Sequence, residues 1–103
     1  MRSNTILSFN KIPIRLTEER WLHITEEHSE MAGYYYEALE TISSPDMIYA
    51  GKSGECIALR TLSIGKAIVV IYREINSEDG FVITSFITSK KQQFDRRVKL
   101  WPL

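Results

Sequence analysis

A chain of 103 residues and 11.9 kDa is the size of one domain, and a 44% hydrophobic share with eleven aromatic side chains excludes wholesale disorder. Thirteen basic residues balance thirteen acidic ones, which excludes a uniformly polybasic binder. A single cysteine, Cys56, excludes an internal disulfide and a Cys-based zinc site.

The chain opens with two short apolar runs, Thr5–Phe9 and Ile12–Leu16, around Asn10-Lys11. Pro13 lacks an amide donor, so the pair reads as an edge hairpin or an extended lead-in. Thr17 is a helix N-cap, followed by Glu18 and Glu19 at the positive end of the helix dipole. Trp21, Ile24, His28 and Met31 then recur with helical spacing, and after Gly33 so do Tyr35, Ala38, Leu39 and Ile42. Two helices are expected at 17–29 and 31–43, the second stopped at Ser44 by Pro45.

Beyond Pro45 the period changes to two. Strands are expected at Met47–Ala50, Glu55–Leu62, Ala67–Ile75 and Phe81–Ser89, joined by short turns and by a loop at 76–80. Lys90–Val98 reads as a short basic helix or tail. Helices followed by strands give an α+β order: two N-terminal helices packed on a four-stranded antiparallel sheet, with a short extended segment before them and a basic tail after. Ile57, Leu59, Val69, Ile71, Phe81, Ile83 and Ile87 form the apolar set assigned to the helices. Arg60, Tyr72, Thr84 and Thr88 mark the opposite, mixed face. That second face is read either as a site or as a surface covered by the C-terminal segment.

The zero net charge hides a split. Residues 1–50 hold four Lys/Arg against eight Asp/Glu, and residues 51–103 hold nine against five. Lys90, Lys91, Arg96 and Arg97 concentrate the excess near the end, where they can meet phosphates while Tyr72 offers a ring to a base. The bland alternative is a solvated charged surface. No run approaches the roughly 18 apolar residues of a membrane span, and the N-terminus has no signal-peptide core, so a cytoplasmic protein without a membrane partner is expected.

Metal and cofactor chemistry find no motif. His23 and His28 are five apart, where a zincin-like helical pair needs four. Gly51-Lys52-Ser53-Gly54 reads as a hairpin turn and Cys56 as a small core residue. Metal-free RNA cleavage needs a proton acceptor for the 2′-hydroxyl, a cation over the phosphate and a proton donor for the leaving oxygen. His28 can supply the first or last and Arg60 the second. Each also has a structural alternative: a backbone hydrogen bond for His28, an ion pair with a helix glutamate for Arg60.

The run Ile14-Arg15-Leu16-Thr17-x-Glu19-Arg20-Trp21-x-x-Ile24, with His28, Glu30 and Met31 beyond it and Thr41-Ile42-x-x-Pro45-Asp46-x-Ile48 after it, resembles the phage-associated barnase–EndoU–colicin E5/D–RelE-like nuclease group. Ile68–Tyr72 and Phe81–Phe86 look like the paired central strands of that group, and the likeness spans roughly residues 12–90 of one domain. It implies a metal-independent endoribonuclease, acting as a toxin on mRNA or tRNA and restrained by a small antitoxin or immunity-type partner. The positions matching its polar sites are Arg20, His28, Arg60 and Thr84. The sequence departs from the pattern at Ser29, where relatives carry proline, and at Ile87 and Thr88, where related toxins carry basic residues. Two other functions compete: a non-catalytic RNA- or protein-binding module, and an adaptor or homodimer built on the Tyr34-Tyr35-Tyr36 cluster.

Overall fold

The computed structural model describes residues 3–103. Strands β1 (Ser3–Leu7) and β2 (Pro13–Thr17) form an antiparallel hairpin with Ile6 opposite Ile14. Pro13 begins its strand, where a missing amide is tolerated. The Glu74 carboxylate ties down the loop between the two strands, accepting from the Ser8 hydroxyl at 2.5 Å and the Asn10 amide at 2.9 Å.

Helix α1 (Glu18–Glu27) starts where expected, because the Thr17 hydroxyl accepts the Arg20 amide at 3.1 Å. It ends at His28, a 3-10 turn follows at Ser29–Met31, and Gly33 takes φ +89°. That left-handed residue delays helix α2 to Tyr35–Ser43, four residues later than the apolar spacing predicts. Ser44 before Pro45 then closes it. Strands β3 (Met47–Ala50), β4 (Cys56–Ser63), β5 (Lys66–Asn76) and β6 (Asp79–Thr88) come next, then a 3-10 turn at Lys91–Phe94 and a short β7 (Lys99–Trp101).

The sheet differs from the expected four-stranded antiparallel one. It has seven strands in the order β1-β2-β6-β5-β4-β3-β7, and it is mixed, because β2 runs parallel to β6 with Arg15 opposite Phe81. The segment expected to be an edge or lead-in is therefore internal on its β2 side. Ile14 and Leu16 are wholly buried and Arg15 faces out, the alternation of a strand with one covered face. The tail is also part of the sheet: β7 pairs with β3, and the Val98 carbonyl accepts the Ala50 amide at 2.8 Å. Both additions join residues more than forty positions apart, which local periodicity does not report. The expected five-residue loop at 76–80 is a two-residue turn, with Asn76 paired to Asp79.

On β4 and β5 the two faces are exchanged relative to the expectation, whereas on β6 Ile87 packs on the helix side and Thr84 and Thr88 lie on the other face, as expected. Ile24, Met31, Tyr35, Ala38, Leu39 and Ile42 of the helical segments cluster with Cys56, Ala58, Ile68, Val70, Tyr72 and Val82. The smaller cluster, Ile57, Leu59 and Val69 with Tyr49, faces away from the helices and is covered by Phe94. Both faces of β4 and β5 are apolar, so alternation alone cannot say which one the helices take. The small residues Cys56 and Ala58 let the helical layer approach closely.

Candidate nucleic-acid interface

The segment after β6 crosses the helix-free face and is held by one side chain. Phe94 is buried and stacks on Tyr49, with ring centroids 6.2 Å apart and planes at 26°. The Thr88 hydroxyl accepts the Lys90 amide at 3.0 Å and the Gln93 side-chain amide at 3.2 Å. Consecutive turns, Gln93 to Lys90, Asp95 to Gln92 and Arg97 to Phe94, then satisfy the backbone.

This short ordered strap presents Lys90, Lys91, Arg96 and Arg97, with Lys99 on the strand that follows. Lys90, Arg96 and Lys99 are exposed, and Lys91 and Arg97 are half-buried. Among the described residues none of the five forms an ion pair. Arg73 extends the cationic zone from β5, donating to the Ser53 carbonyl at 2.8 Å. The Glu55 carboxyl nearby is held below its usual range by the backbone amides of Ser53 and Glu55, assisted by Arg73 and Arg97. Between strap and sheet lies a cavity of about 260 Å³, floored by Met47, Tyr49 and Leu59 and rimmed by Lys91, Gln92 and Asp95. The outer surfaces of the helices, by contrast, carry exposed Glu18, Glu19, Glu26, Glu27, Glu37 and Glu40. The molecule is polarised, acidic over the helices and basic beside the strap.

The residues expected to form a catalytic group are only partly gathered. Arg20 donates to the Ile83 carbonyl at 3.5 Å, and the His28 ring lies 5.7 Å from that of Phe86. The half-buried Thr84 stands between Ile83 and Phe86 in the strand but sits opposite Ile71 of the helix-free face, so the contacts along β6 at 83–86 come from Arg20 and His28. This stretch lies beyond the β2 pairing at Phe81, so its outer backbone edge is taken by side chains, with Glu30 accepting the Ile87 amide at 3.4 Å. The same Glu30 carboxylate stands 3.7 Å from His28 Nδ1. Arg20 and His28 are eight residues apart along the chain at the two ends of α1, about 12 Å along its axis, too far for both to grip one phosphate directly.

Arg60 belongs elsewhere. It pairs with Ile68, which pairs with Ile87, so two strand spacings separate it from β6. Its guanidinium donates to the Ser44 carbonyl at 3.1 Å and meets Glu40 at 2.8 Å, placing a cation on the negative end of α2. Removing it with Arg60→Met, which keeps the apolar stem, is expected to cost about 1–2 kcal/mol in urea unfolding. RNA retention should be unaffected.

Tyr72, expected to meet a base, is wholly buried on the helix side and cannot stack on anything outside the core. Its hydroxyl makes no hydrogen bond of ordinary geometry; its polar neighbour is the thiol of Cys56, the facing residue on β4. Burial raises the Tyr72 pKa and pushes the Cys56 thiol up to about 11, so the thiol is an inert core group. Phe94, Tyr49 and Arg73 belong to this candidate surface and were not singled out from the sequence. An isolated phenylalanine within a basic, polar run was the available signal for the anchor.

No protein-family model matches the chain, and neither a curated protein nor a solved structure matches it. Fold and site define a class: an α+β domain whose mixed seven-stranded sheet carries two helices on one face and a basic strap on the other. No helix among the described residues is long and apolar enough to cross a membrane.

Proposed function

We propose that the protein binds single-stranded RNA along the helix-free face of its sheet, with the strap from Lys90 to Lys99 holding the phosphates. The observation that carries this reading is the run of five cations on a segment anchored by Phe94, none of which forms an ion pair among the described residues. Phosphate contact supplies most of the sequence-independent affinity for nucleic acid, and unpaired Lys and Arg release no protein carboxylate on binding. Phe86 and Ile71 are half-buried on the same face and extend the apolar floor toward β6, where bases can lie against them. A small acidic partner, of the kind the nuclease resemblance implies, would occupy the same cations and compete with RNA. The test is retention of a single-stranded RNA across a salt series, comparing the wild type with a variant neutralised at Lys90, Lys91, Arg96 and Arg97.

A second reading, metal-independent RNA cleavage, is favoured by Arg20 and His28 lying against β6 at Ile83 and Phe86. In it the half-exposed His28 exchanges the proton and Arg20 steers the backbone. Incubation with tRNA in EDTA separates the two readings. Product formed by the wild type and lost in His28→Ala supports cleavage; RNA retained intact by both leaves binding alone.

A further inference from the structure

The two ends of the sheet are protected unequally. At one end β7 is three residues long, carries Lys99 and is followed at once by Pro102. Short length, charge and proline are the features that keep a strand edge from pairing. At the other end β1 is five residues long, Ser3–Leu7, with no charge, no proline and no register shift against β2. Thr5 is exposed on it and Leu7 is 50% exposed.

The helix-side surface next to β1 is also apolar. The Tyr35 hydroxyl accepts from the Asn4 amide of β1 at 2.9 Å and donates to the Leu16 carbonyl at 3.1 Å. Its ring meets Trp21 edge-on at 5.2 Å. Beside this pair is a notch of about 230 Å³ lined by Glu18, Trp21, Leu22 and Tyr35. Leu22 is 56% exposed and Tyr36, whose ring packs edge-on against Tyr35, is 64% exposed.

We infer that two copies of the chain join here. The β1 strands pair antiparallel, making one continuous sheet, and Leu22 and Tyr36 of each copy close on the Trp21–Tyr35 notch of the other. A second copy is the occupant that the edge chemistry fits. A two-fold axis through Thr5 sets hydroxyl opposite hydroxyl and Asn4 opposite Ile6, with no like charges facing. Head-to-tail pairing of β1 with β7 would instead propagate a filament, and Lys99 and Pro102 guard against it. A five-residue strand pair falls short of the roughly 1,200–2,000 Å² that a stable interface buries, so the aromatic notch has to supply the remainder. The strap lies near the opposite end of the sheet, so joining at β1 leaves both cationic surfaces open.

Light scattering and sedimentation equilibrium over micromolar to millimolar protein test this. The expected mass approaches twice the 11.9 kDa of the chain. Thr5→Glu should weaken association by about tenfold or more, because it sets two carboxylates together at the axis. Within each copy the new carboxylate faces Arg15, so the fold is kept. Thr5→Gln should associate like the wild type, and the double variant Leu22→Ser/Tyr36→Ser should be monomeric with an unchanged circular dichroism spectrum. A wild type that stays monomeric throughout the range, or a dimer insensitive to Thr5→Glu and to the double variant, overturns the inference.

Discussion

Gly80→Ala is expected to destabilise the protein by about 2–3 kcal/mol, the cost of overpacking a site that cannot yield. Gly80 is buried in β6 and pairs with Glu74 of β5. A β-carbon there would lie 2.6 Å from the Arg73 carbonyl oxygen and 2.5 Å from Ile14 Cδ1. The isoleucine tip can turn away, but the carbonyl is part of the β5 backbone and moves only if the two central strands separate. That separation would also disturb the parallel contact of Arg15 with Phe81 one residue on. In a domain of this size such a loss lowers the melting temperature by about 10 °C or more. Gly51→Ala is the control, since the nearest atoms a β-carbon meets there belong to the flexible Glu55 side chain. Its expected cost is about 0.5 kcal/mol or less. Equal melting temperatures for the two variants would refute the register of β5 against β6.

Neutralising the strap should give the largest change in binding. With Lys90, Lys91, Arg96 and Arg97 all replaced by glutamine, the slope of log affinity against log salt should shrink by about 3, since each phosphate contact to a single strand contributes about 0.7. At about 0.1 M salt this amounts to a loss of several hundredfold in affinity. The unfolding midpoint should hardly change, because Phe94 and the Thr88 hydrogen bonds that anchor the strap are untouched. Lys11→Gln, in the β1–β2 loop away from the strap, should alter the slope by less than about 1. If the four-fold variant binds RNA with the wild-type slope, the strap is not the phosphate surface.

The candidate site was legible in the sequence where it depended on composition and lost where it depended on packing. The clustering of Lys90, Lys91, Arg96 and Arg97 is a property of the chain, and so is the acidic bias of the helices. Arg60 looked like a cation in need of a ligand because a guanidinium in mid-strand has to be satisfied. Its partners, the Ser44 carbonyl and Glu40, are sixteen and twenty residues away and meet it only when α2 lies across β4. Tyr72 reads as available from its place on the mixed face with Arg60, Thr84 and Thr88, yet it is on the helix side, where the apolar layer seals it.

The sequence by itself determined the local elements. Thr17 capped α1, Ser44-Pro45 closed α2, and the switch of period after Pro45 marked four strands close to their observed places. These follow from forces acting within a few residues: capping, steric exclusion and alternation. Only the tertiary structure decided that β2 runs parallel beside β6, that β7 extends the sheet past β3, and which apolar face receives the helices. Those choices compare burial energies between segments far apart in the chain. When β4 and β5 are apolar on both sides, no single segment contains the information that separates the alternatives.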